Sequence, residues 1–185
     1  MENYLKGIDT EILEKAKKIR LLITDVDGVL TDGGIIYDNE GMESKKFNVK
    51  DGLIVQYLKK NQIKVGVISG RNSQVVRNRC VELGFDYHYH GIEDKAVQLQ
   101  AIMEDMNIGL AECAFIGDDL WDLPILCQVG LSVAPVDALP YVKEKVHFVS
   151  SLPGGKGVFR EVGDLILMAK GQLEPIINHL SNKVS

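Results

Sequence analysis

Short apolar runs recur along the chain with charged or glycine borders: RLLITDV (20–26), IKVGVIS (63–69), FDYHYHG (85–91), CAFIG (113–117) and GLSVA (130–134). Compact runs of this kind predict strands covered on both faces, as in a parallel sheet. Between them lie helix-like stretches, DGLIVQYLKKN (51–61), NSQVVRNRCVELG (72–84), EDKAVQLQAIMEDMN (93–107) and DDLWDLPILCQ (118–128). A leading helix precedes the first strand, with Ile8, Ile12, Ala16 and Ile19 at helical spacing and Asp9 or Thr10 able to cap it. Strand and helix alternating in this way predict right-handed crossovers. The expected fold class is therefore α/β, a Rossmann-like doubly wound parallel sheet with helices on both faces.

Two intervals break the rhythm. Gly33 to Asn48 places two short extended segments around Asp38-Asn39-Glu40-Gly41, which predicts a β-hairpin projecting from the sheet edge and too small to be a cap domain. Residues 151–185 open on a Gly-rich stretch at Pro153-Gly154-Gly155. They continue as a helix with apolar Val158, Phe159, Val162, Leu165, Ile166 and Met168, and end in a helix expected to fray. At 185 residues, 45% of them hydrophobic, the chain 1–185 is expected to form a single domain.

The net charge of −5 lacks the electropositive footprint that a phosphate backbone requires, so nucleic acid is not an expected partner. No apolar run approaches the roughly 20 residues that cross a bilayer, and the segment 1–18 is charged where a signal peptide is apolar. No membrane association and a cytoplasmic location are expected. Cys80, Cys113 and Cys127 form no CxxC pair and are expected to be reduced, buried thiols.

In a doubly wound sheet, ligands bind beyond the carboxyl ends of the strands, so the polar residues that end each apolar run are the candidates for chemistry. The first run ends in Asp25 and Asp27 (DVDGVLTDG), the second in Ser69, Gly70 and Arg71 (ISGR), and the fourth in Asp118, Asp119 and Asp122 (GDDLWD); Lys95 follows the third. Carboxylates crowded at two buried strand ends repel one another unless a cation joins them. Oxygen ligands without Cys or His suit magnesium, which keeps waters and takes few carboxylates plus a substrate phosphate. A carboxylate attacking a phosphate also faces repulsion of about 4 kcal/mol at about 4 Å and an effective dielectric of about 20, which Mg²⁺ and Lys95 would offset. In this reading Asp25 is the nucleophile, Asp27 the general acid and base, and Ser69 and Lys95 hold the phosphoryl oxygens.

Other readings compete. Asp-x-Asp-Gly also opens calcium loops, but the twelfth position counted from Asp25 is Ile36, where an EF-hand needs Glu. Asp119 and Asp122 serve equally well as caps of the following helix. His88 and His90 share a strand face without a third ligand, which favours a structural role. Lys95 taken singly reads as a solvated lysine at a helix start.

The set DVDGVLTDG, ISGR, GIEDK and GDDLWD, in that order, resembles the haloacid dehalogenase superfamily of phosphotransferases. More narrowly, GVLTDGGIIYDNEG, KKFNVKDG, GDDLWDLP, VGLSVAPVDA and GGKGVFREV look like the 3-deoxy-D-manno-octulosonate 8-phosphate (KDO 8-phosphate) phosphatases, its small capless (C0) members. The resemblance implies hydrolysis through an aspartyl-phosphate on Asp25. It implies metal ligation by Asp25, Asp118 and the backbone carbonyl of Asp27, with Asp119 and Asp122 behind them, and phosphate binding by Ser69 and Lys95. It also implies a homotetramer with active sites at subunit interfaces, where the hairpin and a neighbour's Gly-rich segment close each site.

That arrangement would supply the desolvation and selectivity that a capless site lacks. The candidates for it are Gly154, Gly155, Lys156, Gly157 and Arg160, set against the plain reading of a linker. Arg71 offers a planar fork for a sugar carboxylate, and Lys50 and Asp51 are further candidates for sugar contacts. The expected product pathway is lipopolysaccharide biosynthesis. A related nine-carbon sugar acid phosphate (KDN 9-phosphate type) is the alternative substrate, and a non-catalytic oligomerisation or regulatory module is the alternative of another class. A mutase would need a mobile cap to retain its intermediate.

Overall fold

The structure, a computed structural model, describes residues 7–182; the first part of the charged amino-terminal segment and the last of the residues expected to fray lie outside the described residues. Among the described residues eight strands and eight α-helices follow one another as α1 (Thr10–Lys18), β1 (Leu21–Thr24), β2 (Ile36–Tyr37), β3 (Glu43–Ser44), α2 (Val49–Lys60), β4 (Lys64–Ser69), α3 (Gln74–Leu83), β5 (Tyr87–His90), α4 (Lys95–Met106), β6 (Cys113–Ile116), α5 (Leu123–Leu126), β7 (Leu131–Ala134), α6 (Pro140–Lys143), β8 (Phe148–Val149), α7 (Val158–Ala169) and α8 (Leu173–Ser181). The main sheet is parallel throughout, in the order β5-β4-β1-β6-β7-β8. The chain runs outward from β1 through β4 to β5, then crosses to β6 on the other side of β1. The order therefore reverses at β1, and a crevice opens beyond its carboxyl end.

Burial on both faces explains the unbroken apolar runs. Leu22, Ala114, Ile116, Val65 and Val67 join the core beneath α1, α2, α3 and α7, while Leu21, Ile23, Phe115 and Ile68 join the core beneath α4 and α5. Consecutive strand residues serve opposite layers, as the two-residue side-chain period requires. Asp9 caps α1 by accepting the Glu11 N–H at 2.8 Å, and Asp94 caps α4 by accepting the Ala96 and Val97 N–H groups.

The hairpin stands where the sequence places it. β2 and β3 pair antiparallel, with Ile36 opposite Ser44 and Tyr37 opposite Glu43, and Asp38 Oδ1 accepts the N–H groups of Glu40 and Met42 across the turn. β8 and α6 were not expected. β8 has two residues and α6 four, too few for either to show a period of its own. Cys80 and Cys113 are buried as expected, but Cys127 is exposed because it follows the last turn of α5 on the solvent side. Among the described residues no helix is long and apolar enough to cross a membrane.

Candidate active site at the carboxyl ends of β1, β4 and β6

Asp25 is the first residue after β1, its N–H donating to Ile116 O at 2.9 Å, so the sheet ladder itself delivers its carboxylate to the crevice. The chain then turns over Gly28, whose φ is +84°. A Cβ there would stand 2.1 Å from Asp118 Oδ2, so glycine is required both by the left-handed backbone and by the carboxylate that fills the space. Asp118 follows β6 across the crevice.

Asp122 organises the loop after β6. Its Oδ2 accepts the N–H groups of Asp118 at 3.0 Å and Asp119 at 3.3 Å, and its Oδ1 accepts from Lys95 Nζ at 2.7 Å. Asp119 caps the short turn that follows. Lys95, the first residue of α4, is buried and also pairs with Asp25 Oδ1 at 3.0 Å. Ser69 is buried at the end of β4, its Oγ accepting the Arg71 N–H at 3.2 Å.

The electrostatics follow from this crowding. Burial, then repulsion by Asp122, raises Asp25 to about 7 despite the opposing ammonium of Lys95. Burial, then Asp25, Asp122 and Asp119, raises Asp118 to about 8. Burial works against the Lys95 charge, but Asp25 and Asp122 outweigh it and hold the ammonium above its ordinary range. Oxygens of Asp25, Asp118 and Asp122 lie within 4.8 Å of one another, close enough to share one ion. Asp118 Oδ1 is buried and has no hydrogen-bond partner among the described residues. A hard divalent cation fits this donor set, since it would satisfy that oxygen and relieve the repulsion. Both Asp122 oxygens are already engaged, which leaves Asp25 and Asp118 as the available carboxylates.

These groups line a cleft of about 390 Å³ together with Asp27, Gly70, Arg71, Ile92, Glu93, Asp119 and Trp121. Of the residues singled out in the sequence for substrate contacts, Lys50, Asp51, Gly154, Gly155, Lys156, Gly157 and Arg160 do not line it. Asp51 is buried in α2, where Oδ1 accepts the Arg160 N–H at 2.8 Å, and burial raises it to about 6. Arg160 Nε pairs with Asp164 at 2.7 Å, and Lys156 is exposed. The Gly-rich segment packs on its own chain: Gly155 N–H donates to Val29 O at 2.9 Å, and a Cβ on Gly154 would stand 2.1 Å from Gly28 O.

The hairpin supplies side chains that sequence reasoning missed. Lys45 Nζ lies 2.5 Å from Asp27 Oδ1 and 3.4 Å from Glu43 Oε1. Glu43 accepts from Ser73 Oγ and from Arg71 Nη2 at 2.9 Å, and Arg71 Nη2 also donates to Tyr37 Oη at 3.0 Å. The Ser73 hydroxyl foremost, then Arg71 and Lys45, hold the Glu43 carboxyl below its ordinary range. Only the period of two along the hairpin, which puts Glu43 and Lys45 on one side, hinted at this. On the edge strand His88 Nδ1 and His90 Nε2 lie 3.3 Å apart, and burial pushes His90 down to about 4.

The family model of the haloacid dehalogenase-like hydrolases matches residues 48–130. The 3-deoxy-D-manno-octulosonate 8-phosphate phosphatase KdsC of Salmonella typhi is 42% identical over 167 residues, covering 90% of this chain and 89% of that protein. Among solved structures, the phosphatase of the same name from Moraxella catarrhalis, in complex with a magnesium ion, a phosphate ion and a KDO molecule, matches with a TM-score of 0.90 at 39% identity, covering 92% of this chain and 98% of that one. The Yersinia pestis phosphatase matches with a TM-score of 0.88 at 43% identity over 89% of each chain.

Proposed function

The chain belongs to the haloacid dehalogenase-like hydrolases, in the family of the 3-deoxy-D-manno-octulosonate 8-phosphate phosphatases, and from that membership we propose that it hydrolyses this eight-carbon sugar-acid phosphate to the free sugar acid and inorganic phosphate. It is a phosphoric monoester hydrolase dependent on Mg²⁺, and its product feeds lipopolysaccharide synthesis. The observation that carries the reading is the juxtaposition of Asp25, Asp118 and Lys95 in one cleft, with a buried Asp118 oxygen that has no hydrogen-bond partner among the described residues.

In the mechanism we propose, a carboxylate oxygen of Asp25 bonds to phosphorus as the ester P–O bond breaks, and Asp27 gives its proton to the departing alkoxide. Ser69 and Lys95 hold the phosphoryl oxygens. Water then attacks the aspartyl-phosphate, its proton passes to Asp27, and the Asp25 carboxylate is restored with release of phosphate. Asp25, Asp118 and the Asp27 carbonyl would hold the magnesium ion, which when bound neutralises charge on the phosphoryl oxygens. Asp122 and Asp119 fix the Asp118 loop and Lys95, by the hydrogen bonds described above. Gly70 and Arg71 line the sugar side of the cleft, where the Arg71 fork would meet the substrate carboxylate after leaving Glu43.

The working form is a cytoplasmic homotetramer built from this single domain, with sites completed at subunit boundaries. Exposed Ile35, Ile36, Tyr37 and Met42 on the hairpin and Val49 at the head of α2 support an interface there. Lys156, exposed and outside its own cleft, would serve a neighbour's site, with Asp51 and Arg160 behind it fixing the start of α7. Sedimentation equilibrium tests the assembly; a monomer at assay concentration refutes it. Phosphate release from a panel of octulosonate, nonulosonate and simple sugar phosphates, with and without Mg²⁺, tests the activity. The eight-carbon ester should turn over fastest and only with the metal. Preference for the nine-carbon ester would replace the substrate, and no turnover on any ester would leave a non-catalytic module.

A further inference from the structure

Lys45 carries a fully buried ammonium at a place where a hairpin needs none. Its neighbour Lys46 shows the usual fate of such a residue, exposed and 3.3 Å from exposed Asp32. Lys45 lies two residues from Glu43 on the same side of the strand, and its side chain has no solvent exposure. Taking an ammonium out of water is costly unless its partners are fixed, and an apolar side chain would anchor the hairpin as well. The partners are fixed: Asp27 Oδ1 at 2.5 Å and Glu43 Oε1 at 3.4 Å, with Glu43 in turn held by Ser73 and Arg71.

The two oxygens of Asp27 have different surroundings. Oδ1 receives Lys45 and, at 3.4 Å, Thr31 Oγ1, while Oδ2 lies 3.5 Å from Arg71 Nε. Arg71 lines the catalytic cleft, whereas Lys45 does not line it and borders a separate groove with Phe47, Val49 and Arg79. Oδ2 is thus the oxygen on the cleft side.

We propose that Lys45 is a positioning residue of the reaction, holding Oδ1 of Asp27 from the hairpin so that Oδ2 faces the scissile ester. This rests on the role given above to Asp27 as acid and base. In the first step an Asp25 carboxylate oxygen bonds to phosphorus as the ester P–O bond breaks, and the proton on Oδ2 passes to the leaving alkoxide. In the second, a water oxygen bonds to phosphorus, its proton returns to Oδ2 and the Asp25–phosphorus linkage breaks. An unheld carboxyl would rotate, and the alkoxide would depart without its proton.

Leaving groups that need no proton separate this from a scaffold role. Lys45→Met and Lys45→Arg are compared with the wild type on the sugar-acid phosphate and in the pre-steady-state burst of p-nitrophenyl phosphate, whose nitrophenolate leaves unaided. Lys45→Met should lose roughly 100-fold on the alkyl ester, within the range that general acid catalysis supplies, and less than about 3-fold in the nitrophenolate burst. Lys45→Arg should recover most of the alkyl loss. Equal losses on both esters, absence of the burst, or no loss on either would overturn the proposal. If the wild type spares the sugar-acid phosphate, the substrate reading fails instead, and an alkyl ester that it does cleave takes that place in the comparison.

Discussion

Withdrawing the divalent ion from the aspartate cluster should make the protein less stable as pH rises through neutrality. Burial and mutual repulsion raise Asp25 to about 7 and Asp118 to about 8, from an ordinary value of 3.8 in the unfolded chain. The folded state therefore keeps protons that the unfolded chain has already released, and stability falls with pH wherever that difference persists. Between about pH 6.5 and 8.5 the two groups together give up about two protons' worth of pH dependence, a loss of about 3 kcal/mol at roughly 1.4 kcal/mol per unit. In a chain of this size that is a fall of about 6–12 °C in melting temperature. The buried thiols Cys80 and Cys113 contribute in the same direction only near pH 9 and above, and His90, held down at about 4, acts mainly below the window. Thermal unfolding in chelator across this range, repeated with excess magnesium, is the assay. The ion takes the place of the protons, so its stabilising effect should grow with pH. A melting temperature that is flat or rising in chelator, or an effect of magnesium equal at both ends of the range, would refute the reasoning.

Asp25→Asn should cut turnover on the order of 10⁴-fold or more with unfolding temperature preserved or raised, measured by phosphate release and calorimetry, since it removes the nucleophile of the proposed mechanism and a repelling charge together. Gly28→Ala forces a left-handed φ on a residue whose Cβ would collide with Asp118, so it should cost roughly 1–3 kcal/mol of stability and weaken magnesium binding, measured by titration calorimetry. Trp121 is the chain's only tryptophan and lines the cleft while largely exposed, so intrinsic fluorescence should shift when the sugar-acid product binds and stay unchanged on Trp121→Phe.

Much of this molecule was determined by local pattern. A strand covered on both faces must be apolar along its length, so the runs ending in Asp25, Ser69 and Asp118 announced both the sheet and the polar groups at its rim. The left-handed turn at Gly28 and the caps at Asp9 and Asp94 likewise follow from residues at fixed short offsets. What only the tertiary structure decided was where long side chains and short segments meet distant parts of the chain. Lys45 and Lys46 are adjacent and alike, with only the period of two from Glu43 to separate them, yet one is buried against Asp27 and the other is solvated, because the fold of the hairpin over the cleft decides what each meets. Arg71 found its partners in Tyr37 and Glu43, and the Gly154 segment found a seat on Gly28, across separations that no period records. Periodicity reports which face of an element is covered; what covers it is settled only when the elements pack.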